Sequence, residues 1–69
     1  MDRELLAARL ETARKRAGLS RFDLAEMIDV TPSAIAGYEL RRYTPSPETL
    51  KLLAEALNVS ADWLTGGTQ

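Results

Sequence analysis

The stretch SRFDLAEMIDVTPSAIAGYE, residues 20–39, decides the fold, because two helix starts fall inside it with almost nothing between them. Ser20 offers a hydroxyl to the free amides of a first turn, and Asp23 three positions on makes a short-acid variant of the capping box. Leu24, Ala25 and Ile28 then line one face, and the pattern stops near Asp29-Val30. Thr31-Pro32 begins again, a cap followed by proline at the first helical position, where the missing N–H is not needed. Ile35 and Tyr38 are three apart and face inward, which turns Ser33, Ala36 and Gly37 away from the core. The reading is a pair of helices of about eight residues in a tight turn, the second spanning roughly Pro32 to Glu39.

On the amino-terminal side, Leu6, Leu10, Ala13 and Ala17 recur at spacings of four, three and four over a helix from Arg3 to Arg16. Gly18 ends it, and Arg14-Lys15-Arg16 sit at the negative end of its dipole. On the carboxyl side, Leu40 to Pro45 read as a loop, and Ser46-Pro47 repeat the cap-then-proline start ahead of Leu50, Leu53, Ala54 and Leu57. Asn58-Val59 close that helix, Ser60 and Asp62 start a last short one carrying Trp63 and Leu64, and residues 66–69 form a frayed tail. The expectation is a single all-α domain over residues 1–69, a compact bundle of five short helices without strands or repeats.

Sixty-nine residues leave room for one small domain, which buries only about 60% of its unfolded surface. The balance of 45% hydrophobic and 28% charged residues is that of a folded chain rather than a disordered one. With neither Cys nor His there is no disulfide, no thiolate metal site, and no imidazole to activate a nucleophile. Ser20, Ser33, Ser46 and Ser60 lie at helix starts where capping explains them, and Asp23, Glu26 and Asp29 lack the spacing of a calcium loop. No catalytic residue, metal or cofactor is expected. No apolar run is long enough for a membrane span, and Met1-Asp2-Arg3-Glu4 is no secretory leader, so a cytoplasmic location is expected.

The net charge of −1 does not advertise a polyanion partner, but its distribution is uneven. Residues 1–42 hold eight Lys or Arg against seven Asp or Glu, whereas residues 43–69 hold Lys51 against Glu48, Glu55 and Asp62. A helix held as the second of the pair is held can enter the major groove of B-DNA, about 12 Å wide, and its capped amino terminus attracts phosphate. Helix pairs of this kind also occur in bundles with no nucleic-acid partner, and spacing alone leaves both readings open.

The order and spacing of these pieces resemble the helix-turn-helix domain of the lambda and 434 repressor and Cro class, the xenobiotic-response-element group of bacterial and phage regulators. The matching residues are Arg14 with Gly18-Leu19-Ser20, Leu24-Ala25, Val30-Thr31, Ile35, Tyr38-Glu39, Pro45-Ser46, Thr49-Leu50, Leu53-Ala54, Leu57-Asn58-Val59 and Trp63-Leu64, with Leu6 and Leu10 ahead. The resemblance implies a five-helix, lambda-repressor-like domain that binds double-stranded operator DNA as a homodimer and represses transcription by occupying it. It implies an ion pair between Arg14 and Glu39 that orients the arginine at the DNA backbone. It also implies base or groove contacts from Thr31, Ser33, Ala34 and Gly37, and phosphate contacts from Arg14, Arg21, Arg41, Arg42 and Tyr43.

Two features depart from the family pattern. Ser33, Ala34 and Gly37 are poorly equipped to read bases, since Ser has one hydroxyl and Ala and Gly no polar side-chain group. Arg41 stands where glycine is common, and a left-handed backbone kept there would cost about 1–2 kcal/mol. Trp63 is expected either at a dimer interface or closing the core beside Leu64, and Leu5, Phe22 and Met27 fall outside the apolar spacing of their helices. The thin base-reading set keeps a rival open, a protein-interaction or antitoxin-like adaptor on the same fold with weak or absent DNA binding.

Overall fold

The computed structural model describes residues 1–67. Its elements are α1 (Arg3–Arg16), α2 (Arg21–Ile28), α3 (Pro32–Glu39), α4 (Pro47–Leu57) and α5 (Ala61–Leu64), an all-α arrangement. Each start is fixed by a side chain that accepts from the first unpaired amides. Ser20 Oγ accepts from Asp23 N at 2.9 Å while Asp23 Oδ2 accepts from Ser20 N at 3.0 Å, a reciprocal capping box. Thr31, Ser46 and Ser60 cap α3, α4 and α5 in the same manner. The cap of α1 is Asp2, whose carboxylate accepts from Glu4 and Leu5 N, each at 3.0 Å; an acid ahead of an apolar-periodic run was the overlooked signal.

The helix ends explain how so short a chain turns so often. After α1, Gly18 takes φ 73°, its N–H donating to Lys15 O and that of Leu19 to Arg14 O, a Schellman motif. Asp29 and Asn58 adopt the left-handed conformation after α2 and α4, at φ 62° and 58°, as these short polar residues tolerate. After α3 the same motif is built on Arg41 at φ 62°, with Arg41 N donating to Tyr38 O and Arg42 N to Gly37 O. The left-handed turn usual for glycine is therefore retained with an arginine in it.

These turns lay α3 across α1 and α2, set α2 against α4, and bring α5 between α1 and α4. Leu10, Leu24, Ile35, Leu53 and Leu64 are wholly enclosed, each contributing roughly 1.5–3 kcal/mol by leaving water. Tyr38 and Leu50 are half-buried at the edge of this core. Ala17, expected on the inward face of α1, is exposed because the helix has ended at Arg16, while Ala7 is buried instead. Leu5, Phe22 and Met27 stay on the surface. Of the tail, Gly66 and Gly67 close a turn onto Trp63 O and Asp62 O, while Thr68 and Gln69 lie outside the described residues.

Candidate nucleic-acid interface

One carboxylate ties the first three helices together. Glu39, at the last turn of α3, has a side chain only 1% exposed and accepts from two arginines. Arg14 of α1 donates Nε to Oε2 at 2.7 Å and Nη2 to Oε1 at 3.2 Å, a bidentate pair, while its Nη1 donates to Leu19 O at 2.8 Å. The Glu39 hydrogen bond raises the Arg14 pKa above its ordinary value, with burial opposing, so the guanidinium stays charged. All three of its nitrogens are engaged with protein acceptors. These bonds use three of its five N–H donors, and the residue, expected at a phosphate, lies 7% exposed.

The second arginine was not foreseen as a partner of Glu39. Arg21, the first residue of α2, donates Nε to Glu39 Oε1 at 3.0 Å and keeps 38% of its side chain exposed. Glu39 thus holds Arg21 at the surface by one nitrogen, at the amino terminus of a helix. No sequence spacing announces this pairing, because it spans the turn between two helices.

The outer side of α3 is small-featured. Thr31 and Ser33 are exposed, and Ala34 is half-buried. Thr31 Oγ1 accepts from Ala34 N at 3.1 Å, which occupies a lone pair and leaves its proton to donate. Gly37, expected among the groove contacts, does not stand open: it is buried under the ring of Tyr43. That ring meets the ring of Tyr38 edge-on, centroids 6.3 Å apart at 82°, and remains 57% exposed. Arg41 and Arg42 flank it, both exposed, so the loop after α3 carries two cations and an aromatic ring beside the helix pair.

Trp63, in α5, is half-buried. It packs against the core, and Arg9 lies over its ring with Cζ 5.0 Å from the centroid while donating to the Trp63 carbonyl. Its remaining surface lines a cleft of about 430 Å³ with Ala13, Arg16, Ala17, Leu57 and Val59. Among the described residues no three acidic side chains meet where a metal ion would sit, and no helix is long and apolar enough to cross a membrane.

The sequence pattern of the helix-turn-helix family matches residues 10–64, which includes every side chain of the Glu39 cluster and the whole of α2 and α3. This chain belongs to the helix-turn-helix family. The helix-turn-helix domain resembles those of the lambda and 434 repressor and Cro class. It is 34% identical over 61 residues, 88% of its length, to the HTH-type transcriptional regulator ImmR of Bacillus subtilis (strain 168). It is 31% identical over 67 residues, 97% of its length, to the repressor protein C2 of Salmonella phage P22. The chain spans 48% of the first relative and 31% of the second. The structure of the P22 c2 repressor in complex with a synthetic operator superposes with TM-score 0.86 at 30% identity, over 91% of this chain and 96% of that one. The same fold, at 23% identity and TM-score 0.83, covers 35% of a hydroxypropylphosphonic acid epoxidase from S. wedmorenis and 94% of this chain; that likeness is one of fold alone.

Proposed function

We propose that the domain binds double-stranded DNA as a regulator of transcription in the cytoplasm, with α3 in the major groove, and represses by occupying an operator. The observation that carries this reading is the likeness to a repressor captured on its operator, which extends over nearly the whole of both chains. Eight residues make roughly 12 Å of helix, a length that fits across the groove. Arg21, Arg41 and Arg42 take the phosphates on either side, and Thr31, Ser33 and Ala34 face the base edges. Glu39 is acidic, but its charge is buried between two arginines and does not repel the duplex. The proposal includes a homodimer on a two-fold site, with the exposed part of Trp63 in the contact between protomers.

Fluorescence anisotropy of genomic and random duplexes, at low and moderate salt, tests the reading. Submicromolar binding to a subset of sequences, weakened when Arg41 and Arg42 are both changed to Ala, is the expected result. No binding at tens of micromolar by a folded protein refutes it, and directs the search to a protein partner, for which the exposed Phe22 and Met27 of α2 are the natural contacts.

A further inference from the structure

The outer side of α3 lacks long polar side chains, yet it carries a glycine in mid-helix, where glycine is the least favoured residue after proline. Gly37 does not need glycine's backbone freedom, since the positive-φ glycines are Gly18 and Gly66. It needs glycine's size. A Cβ built at position 37 would lie 2.1 Å from Tyr43 Cε2 and 2.3 Å from Cδ2, closer than any side chain can approach. Tyr43 N also points to Gly37 O at 3.4 Å, and Tyr38 supports the ring from the side. The loop side chain is thus seated in the space that a side chain at 37 would occupy on the outer face of the helix.

Resting on the DNA-binding reading above, we infer that Tyr43 is a base-reading residue of this domain, standing in for the side chain Gly37 lacks. With one ring edge pressed on the Gly37 backbone, the exposed remainder is an apolar surface carried at the level of α3. The apolar feature of the major groove is the C5-methyl group of thymine. The ring is already ordered by Gly37 and Tyr38, so little side-chain freedom is lost on binding, and Arg41 and Arg42 hold the loop to the phosphates beside it. A sequence preference then arises at one thymine per protomer, although Ser33 and Ala34 offer so little.

The test selects bound sequences from a randomised duplex pool with the unaltered chain, Tyr43→Ala, Tyr43→Phe and Gly37→Ala, each shown to be folded by circular dichroism. The unaltered chain and Tyr43→Phe should select the same motif. Tyr43→Ala should lose the preference at one thymine and keep the rest, and Gly37→Ala, whose methyl displaces the ring, should do the same with Tyr43 intact. Uracil in place of that thymine should weaken the unaltered chain about fourfold, the equivalent of one buried methyl, and leave Tyr43→Ala unaffected. A motif unchanged in Tyr43→Ala overturns the assignment, as does a uniform loss in Tyr43→Phe, which would place the hydroxyl on a phosphate. A folded, unaltered chain that selects no motif at all overturns the DNA reading itself.

Discussion

Glu39 shows how much of this domain hangs on one side chain. Its buried carboxylate is matched by the Arg14 fork, and removing it strands a charged guanidinium with only the Leu19 carbonyl to accept from it. Breaking such a pair costs about 3–5 kcal/mol, a large part of the roughly 5–15 kcal/mol that holds a domain together. Glu39→Ala should therefore shift the urea midpoint far down, and Arg14→Met combined with Glu39→Leu should recover most of the loss, because an apolar pair has no desolvation to offset. The rescued protein should still bind DNA weakly, since Arg21 has lost the acceptor that orients it. Arg41 is the converse case, a residue that destabilises where it stands. The left-handed backbone costs it about 1–2 kcal/mol, part of which glycine forfeits through a freer unfolded chain. Arg41→Gly should raise unfolding free energy by about 0.5–1 kcal/mol while lowering DNA affinity. A stabilised variant with undiminished affinity would place Arg41 off the phosphates.

Among the elements, α2 and α3 depend on their caps, since eight-residue helices are too short to persist alone. The Asp23 carboxylate is held below the usual aspartate range by its hydrogen bonds from the Ser20 backbone N–H and side chain. A depressed folded value means stability that is complete above the unfolded value of about 3.9 and is lost as the pH falls through the folded one. Asp23→Ala should accordingly be less stable than its parent across neutral pH, with the gap closing in strong acid; a gap that persists at pH 2 would assign the loss to something other than the charge. The same capping chemistry is why the helices were legible in the sequence. Ser20, Thr31-Pro32, Ser46-Pro47 and Ser60 name the starts, and Leu10, Leu24, Ile35 and Leu53 name the faces, because caps and periodicity are local. What escaped was coupling between elements. Arg21 meets Glu39 only once α2 and α3 have docked, and Tyr43 reaches Gly37 only because the turn at Arg41 folds the loop back. Gly37 therefore read as an open groove position, when its missing side chain is the seat for another residue's ring.

For the whole molecule, the uneven charge makes salt the most informative variable. Arg21 is tied to Glu39 in the last turn of α3, and Arg41 and Arg42 follow that turn, whereas residues 43–69 carry a net −2 that a duplex would repel. Binding should thus be oriented by a few cations rather than by a general attraction, and the number of phosphates neutralised is countable. Each contributes about 0.9 to the slope of log affinity against log salt, through release of condensed counterions. Three arginines on one bound protomer predict a slope of about −3, and six on a homodimer about −5. Changing Arg41 and Arg42 to Ala should flatten it by about 2 for a single protomer and by nearly twice that for a pair. Light scattering of the complex supplies the stoichiometry independently, so slope and mass must agree. A dimer on DNA with a slope near −3 would mean that only one protomer engages its arginines, and would exclude the symmetric docking that the two-fold site requires.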